Sequence, residues 1–142
     1  MSTATKTITE RVAAGAVFLD VHDRGWWRED VPNAIDLDTL DLAEGGACVL
    51  GQRCPLEVLQ DYMRSRGSID PGWEGYRDHR YVAYADAICR AAGIDPLGNW
   101  ARDHGFIRSN PGGDGEWGEL TAAWSDLILE RRKDAADRGE LA

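Results

Sequence analysis

A chain of 142 residues is the size of one ordinary domain, large enough to bury roughly two thirds of the surface that its unfolded form exposes. Hydrophobic residues at 43% and charged residues at 29% give the balance of a globular chain and exclude wholesale disorder. Twenty-five acidic against sixteen basic residues leave a formal charge of −9, which excludes phosphate-backbone binding without a local basic patch, and no run of 18 apolar residues is present to cross a membrane.

Residues 1–6 read as a frayed leader. Thr7-Ile8-Thr9-Glu10 has the capping-box pattern, in which threonine and glutamate each satisfy a backbone N–H of the other. Ile8, Val12, Gly15, Ala16 and Leu19 then recur at helical spacing, so residues 8–23 are predicted to form an amphipathic helix with a small-residue seam, stopping near Gly25. "GWWREDVPNA" reads as a loop broken by Pro32 and Asn33. In "AIDLDTLDLAEGGACVLGQ" the alternation at Ile35 and Leu37 is lost at Leu40 and Leu42. An extended entry at 35–37 and a helical turn at 38–42 are expected, capped by Asp36 or Asp38, with "ACVLGQRC" as a further short turn.

Pro55 suits the first position of a helix, and Leu56, Leu59 and Met63, flanked by Val58 and Tyr62, give that helix a buried face to about residue 66. "GSIDPGWEGYRDH" is a Gly-rich loop. Tyr81, Ala85, Ile88 and Ala92 mark the next helix, closed by Gly93, and Asp95-Pro96 starts a short one through Trp100 that Gly105 stops. After a second loop, "SNPGGDGEWG", the residues Leu120, Ala123, Trp124, Leu127, Ile128 and Arg131 form the clearest helical stripe, and residues 134–142 are expected to fray. The predicted fold is a compact all-α single domain of about four main helices with short helical turns and Gly-rich loops. The N-terminus lacks the apolar core of a signal peptide and the three cysteines are unpatterned, which points to the cytoplasm.

Metal and catalytic patterns are weak. Counted as a calcium loop from Asp36, position 5 is Leu40, position 6 is Asp41 and position 12 is Ala47, where oxygen, glycine and glutamate are required. Cys48, Cys54 and Cys89 with His22, His79 and His104 show no paired zinc spacing, so no metal and no cofactor are expected. Cys54 is the best placed thiol, beside Arg53 and ahead of a helix, both of which favour thiolate. Cys48 and Cys89 read as packing. Arg64 with Arg66, and the trio Arg131, Arg132 and Lys133, the nearest approaches to a basic patch, read as charges complementing helix C-termini.

Six tryptophans are heavy usage for this length. Trp26, Trp27, Trp73, Tyr76 and Trp117 fall in predicted loops, where aromatics serve either as interface anchors or as lids over a small core.

In order along the chain, "RVAAGAVFLD", Gly25-Trp26, "IDLDTLDL" followed closely by "CVLGQ", Gly105-Phe106 and "LTAAWSDLILERR" resemble a family of small uncharacterised proteins of actinobacteria and their phages. The resemblance spans most of residues 11–132, leaves 53–98 unmatched, and is most specific in the "IDLDxLDL" and "CVLGQ" blocks. Gly45 stands where family members often carry a second cysteine, which weakens a metal or redox role. The resemblance implies a phage or actinobacterial setting and supplies no catalytic residue. Three functions remain open: a small acidic accessory protein that binds a host or phage protein, an acidic nucleic-acid mimic that blocks a DNA-binding partner, and an enzyme of unknown type. The first is preferred.

Overall fold

The computed structural model describes residues 7–65, 79–95, 99–108 and 115–139. These form six helices and no strands: α1 (Ile8–His22), α2 (Val49–Arg53), α3 (Leu56–Ser65), α4 (Arg80–Ala92), α5 (Trp100–Asp103) and α6 (Gly115–Asp137). The all-α class is as the sequence predicts, with α1, α3, α4 and α6 as the main helices. None of the described helices is long and apolar enough to cross a membrane.

Helix α1 starts on the predicted capping box, with Thr7 Oγ1 accepting the Glu10 N–H at 3.1 Å and the Glu10 carboxylate accepting the Thr7 N–H at 3.0 Å. Its seam of Val12, Gly15, Ala16 and Leu19 packs against α6, α5 and α4. Leu120, Trp124 and Ile128 of α6 are buried, as their stripe requires. The tail departs from expectation: α6 continues to Asp137, and Ala135, further along the same stripe, is buried outside the main core cluster. Residues 1–6 lie outside the described part.

Helix α4 ends at Gly93 in the left-handed region, φ 73°, as predicted. It buries Ala83, Tyr84, Ala85, Ile88 and Cys89, and with Leu59 and Met63 of α3 these belong to the same core as α1 and α6. Residues 53–98, unmatched by the resemblance, thus supply part of that core. Leu56 is not in the buried face assigned to α3; it is 59% exposed on the first turn.

One aromatic chain runs through the core. Trp26 meets Trp124 edge-on with centroids 5.5 Å apart, Trp124 stacks on Phe106 at 5.4 Å, Phe106 lies 5.1 Å from Trp100, and Trp100 meets the edge of Phe18 at 5.3 Å. The buried indoles of Trp26 and Trp124 keep hydrogen bonds, to Asp20 Oδ1 at 3.0 Å and to the Gly105 carbonyl at 2.7 Å.

The helical turn expected at 38–42 is absent. Asp36 Oδ1 accepts the Asp38 N–H at 2.9 Å and Asp41 Oδ1 accepts the Ala43 N–H at 3.0 Å, so the segment is a string of tight turns. Short carboxylates bonding to backbone two residues on compete with helix, and here they win. Ile35, Leu40, Leu42, Val49 and Leu50 nevertheless all reach the core, and Leu37 packs against it half-buried.

Candidate functional site

The three cysteines are free and buried. Cys54 is fully buried, and the Arg53 guanidinium that would have activated it points elsewhere, onto Asp23 and the Pro32 and Asn33 carbonyls. Burial pushes the Cys54 thiol up to about 11 despite the nearby Arg80, so the thiolate expected from sequence is not favoured. Burial likewise raises Cys48 and Cys89 to about 11. The Cys48 sulfur caps α2 by accepting the Gly51 N–H at 3.3 Å, which gives that residue a structural role. The native protein at pH 8 should therefore give no fast reaction with Ellman's reagent, and three thiols after denaturation; one fast native thiol would overturn the assignment.

These shifts carry a sign for stability. The fold holds each thiol protonated to a higher pH than the unfolded chain does, so the contribution is complete below about 9 and is lost as pH rises through about 11. Tyr81 and Tyr84, both raised by burial, act in the same direction at still higher pH. Urea midpoints should fall from pH 8.5 to pH 11, and a Cys89→Ala variant should show a shallower fall.

Of the loop aromatics, Trp26 is corrected: it is a core residue, 0% exposed, with no face for a partner. Adjacent indoles do divide between core and surface, since Trp27 is half-buried with the Arg28 guanidinium 5.6 Å over its ring. Trp117 is half-buried too, but on the first turn of α6 and not in a loop, with Arg108 5.3 Å over its ring. Trp73 and Tyr76 lie outside the described residues. Among the described residues no group of three His, Cys, Asp or Glu side chains is placed to hold a metal ion.

The structure assembles a feature that no single stretch of sequence announces. Residues 34–38 run beside α6 and leave a groove of about 460 Å³, lined by Ala34, Ile35, Leu37 and Leu129, with Glu29, Asp36 and Asp38 at its rim and Arg132 in its wall. Leu129 is 53% exposed. Arg132 donates from Nε to the Trp27 carbonyl at 2.8 Å and from Nη2 to the Ile35 carbonyl at 2.7 Å, which ties the loop to the helix. Arg131 pairs with both carboxylate oxygens of Asp20 on α1. Neither arginine serves the helix end, as sequence position suggests; α6 runs beyond them, and both bond sideways to other elements.

The 34–38 segment is also fixed by "CVLGQ". Gln52 Oε1 accepts the Asp36 N–H at 2.7 Å, and Gln52 Nε2 donates to the Asp36 and Ala47 carbonyls at 3.2 and 2.9 Å. The "IDLD" and "CVLGQ" stretches are thereby one structural unit: "CVLGQ" holds "IDLD" in place, and Asp36 and Asp38 are exposed. No protein-family model, curated protein or solved structure matches the chain.

Proposed function

We propose that this chain is a small acidic accessory protein, acting in the cytoplasm by binding another protein, in the phage or prophage setting that its resemblance suggests. The groove between residues 34–38 and α6 is the observation that carries this reading. It combines an exposed leucine, an apolar floor and a rim of carboxylates on a segment whose backbone is already pinned, so little ordering cost opposes binding. Trp27 adjoins it, two residues from Glu29 and held through its carbonyl by Arg132.

The test is capture with tagged protein from an actinobacterial lysate, followed by reconstitution from purified components, with Trp27→Ala and Leu129→Ser beside the wild type. A stoichiometric partner that binds at least tenfold more weakly to Leu129→Ser supports the reading. No partner at low salt refutes it.

A second reading is favoured by the exposed Asp36, Asp38, Asp41 and Glu44, which lie on one stretch fixed by turn hydrogen bonds. Such a row of carboxylates suits an acidic mimic that occupies a DNA-binding partner. Competition between this protein and duplex DNA for the captured partner, relieved by salt, distinguishes it from the first.

A further inference from the structure

The described part of the molecule offers two grooves of similar size, and their charges separate them. The groove between α3 and α4, about 440 Å³, is lined by Val58, Tyr62 and Ala83 and carries two acids. Both are neutralised on their own helices, Asp61 by Arg64 at 3.0 Å and Asp86 by Arg90 at 3.0 Å. Nothing about that surface selects the sign of a partner.

The groove at residues 34–38 differs. Among the described residues no cation forms an ion pair with Glu29, Asp36 or Asp38, and all three are exposed. The cation in its wall, Arg132, has its Nε and Nη2 donors directed inward at two carbonyls; burial lowers its pKa, the nearby carboxylates of Glu29 and Asp36 partly oppose that, and one cation against three carboxylates leaves the groove net negative. A ligand entering here meets an apolar floor between Leu37 and Leu129 and a negative rim around it. Its volume lies within the roughly 300–1,000 Å³ of small binding clefts, room for a side chain and its flanking backbone and not for a domain face.

Resting on the protein-binding reading above, we infer that the groove takes a short basic segment of the partner protein, with one large apolar side chain seated between Leu37 and Leu129 and lysine or arginine on either side facing Glu29, Asp36 and Asp38. The apolar anchor supplies desolvation, and the flanking cations supply sign selection and faster association. A nucleic acid is repelled by the same rim. A polyamine satisfies the carboxylates but has no bulky group for the floor.

The full-length protein, labelled with ¹⁵N, is titrated with synthetic decapeptides carrying a central leucine flanked by arginines, the same peptide with alanine for leucine, the same with glutamates for arginines, and spermidine. The expected result is amide shifts at residues 37, 38 and 129 with the Leu/Arg peptide, affinity at least tenfold weaker for the alanine and glutamate peptides and for spermidine, and weakening as salt is raised. Glu29→Gln/Asp38→Asn, which spares the Asp36 turn, should also lose at least tenfold while its spectrum stays dispersed. The inference is overturned if the Leu/Arg peptide leaves the groove amides unmoved, if spermidine or the glutamate peptide binds within twofold of it, or if the double variant binds as well as the wild type. Should a captured partner bind the double variant undiminished, the groove assignment falls while the protein-binding reading stands.

Discussion

Replacing Arg53 by methionine should destabilise the protein by about 3–5 kcal/mol, the cost of breaking a buried ion pair from one side. Arg53 is buried, donates to both oxygens of Asp23 at 2.8 Å, and reaches the Pro32 and Asn33 carbonyls at 2.8 and 3.0 Å. Burial opposes its charge, but the hydrogen bonds and attraction of Asp23 outweigh that and hold it charged. Methionine restores much of the volume and none of the donors, so a carboxylate and two carbonyls are left without them at the point where α1 ends and the chain turns through Asn33 with φ 57°. Urea unfolding followed by tryptophan fluorescence should show the midpoint displaced by more than about 1 M at an m-value of about 1–3 kcal/mol per M. Adding Asp23→Asn should recover part of the loss by removing the stranded carboxylate. A loss below about 1 kcal/mol in the single variant would mean that water replaces the guanidinium and that the pair is not structural.

Arginine chemistry also marks the limit of what the sequence makes legible. The helices are legible because their signals are local: the capping box at Thr7, the seam through Gly15, the closure at Gly93 and the stripe through Trp124 each lie within a few residues of what they determine. Long-range bonds give no such signal. Arg53 beside Cys54 looks like an activator of a thiol, yet its partner is thirty residues upstream. Arg132 looks like a helix-end charge, yet it bonds Ile35, which is 97 residues away in sequence. The groove depends on that bond and on Gln52, so neither its shape nor its acidic rim can be assembled from spacing alone. Trp26 escapes the sequence for a related reason: loop position suggests exposure, whereas an indole whose N–H finds Asp20 can be buried from a loop as readily as from a helix. At 38–42, apolar spacing is outweighed by Asp36 and Asp41 bonding their own backbone.

The same substitution, glycine to alanine, should have opposite signs at two helical positions. At Gly118, on the exposed face of α6, an added Cβ meets nothing within 4 Å, and the helix gains the propensity difference of about 1 kcal/mol. At Gly15 on α1 the same gain is available, but the Cβ would stand 2.1 Å from the His104 carbonyl oxygen and 2.9 Å from the Trp124 ring. The nearer obstacle is backbone, which cannot swing aside as a flexible side chain does. To make room, α1 must back away from the turn after α5, where the Trp124 N–H holds the Gly105 carbonyl and Arg11 holds the Arg102 and Ile107 carbonyls. Overpacking of this kind costs about 1–3 kcal/mol or more, and the strained bonds to Trp124 and Arg11 put Gly15→Ala at the upper end, a net loss of about 2 kcal/mol after the propensity gain. Thermal unfolding should place Gly118→Ala above the wild type and Gly15→Ala several degrees below it. If Gly15→Ala were neutral, α1 would not approach α5 and α6 this closely, and the small-residue seam would reflect helix composition only.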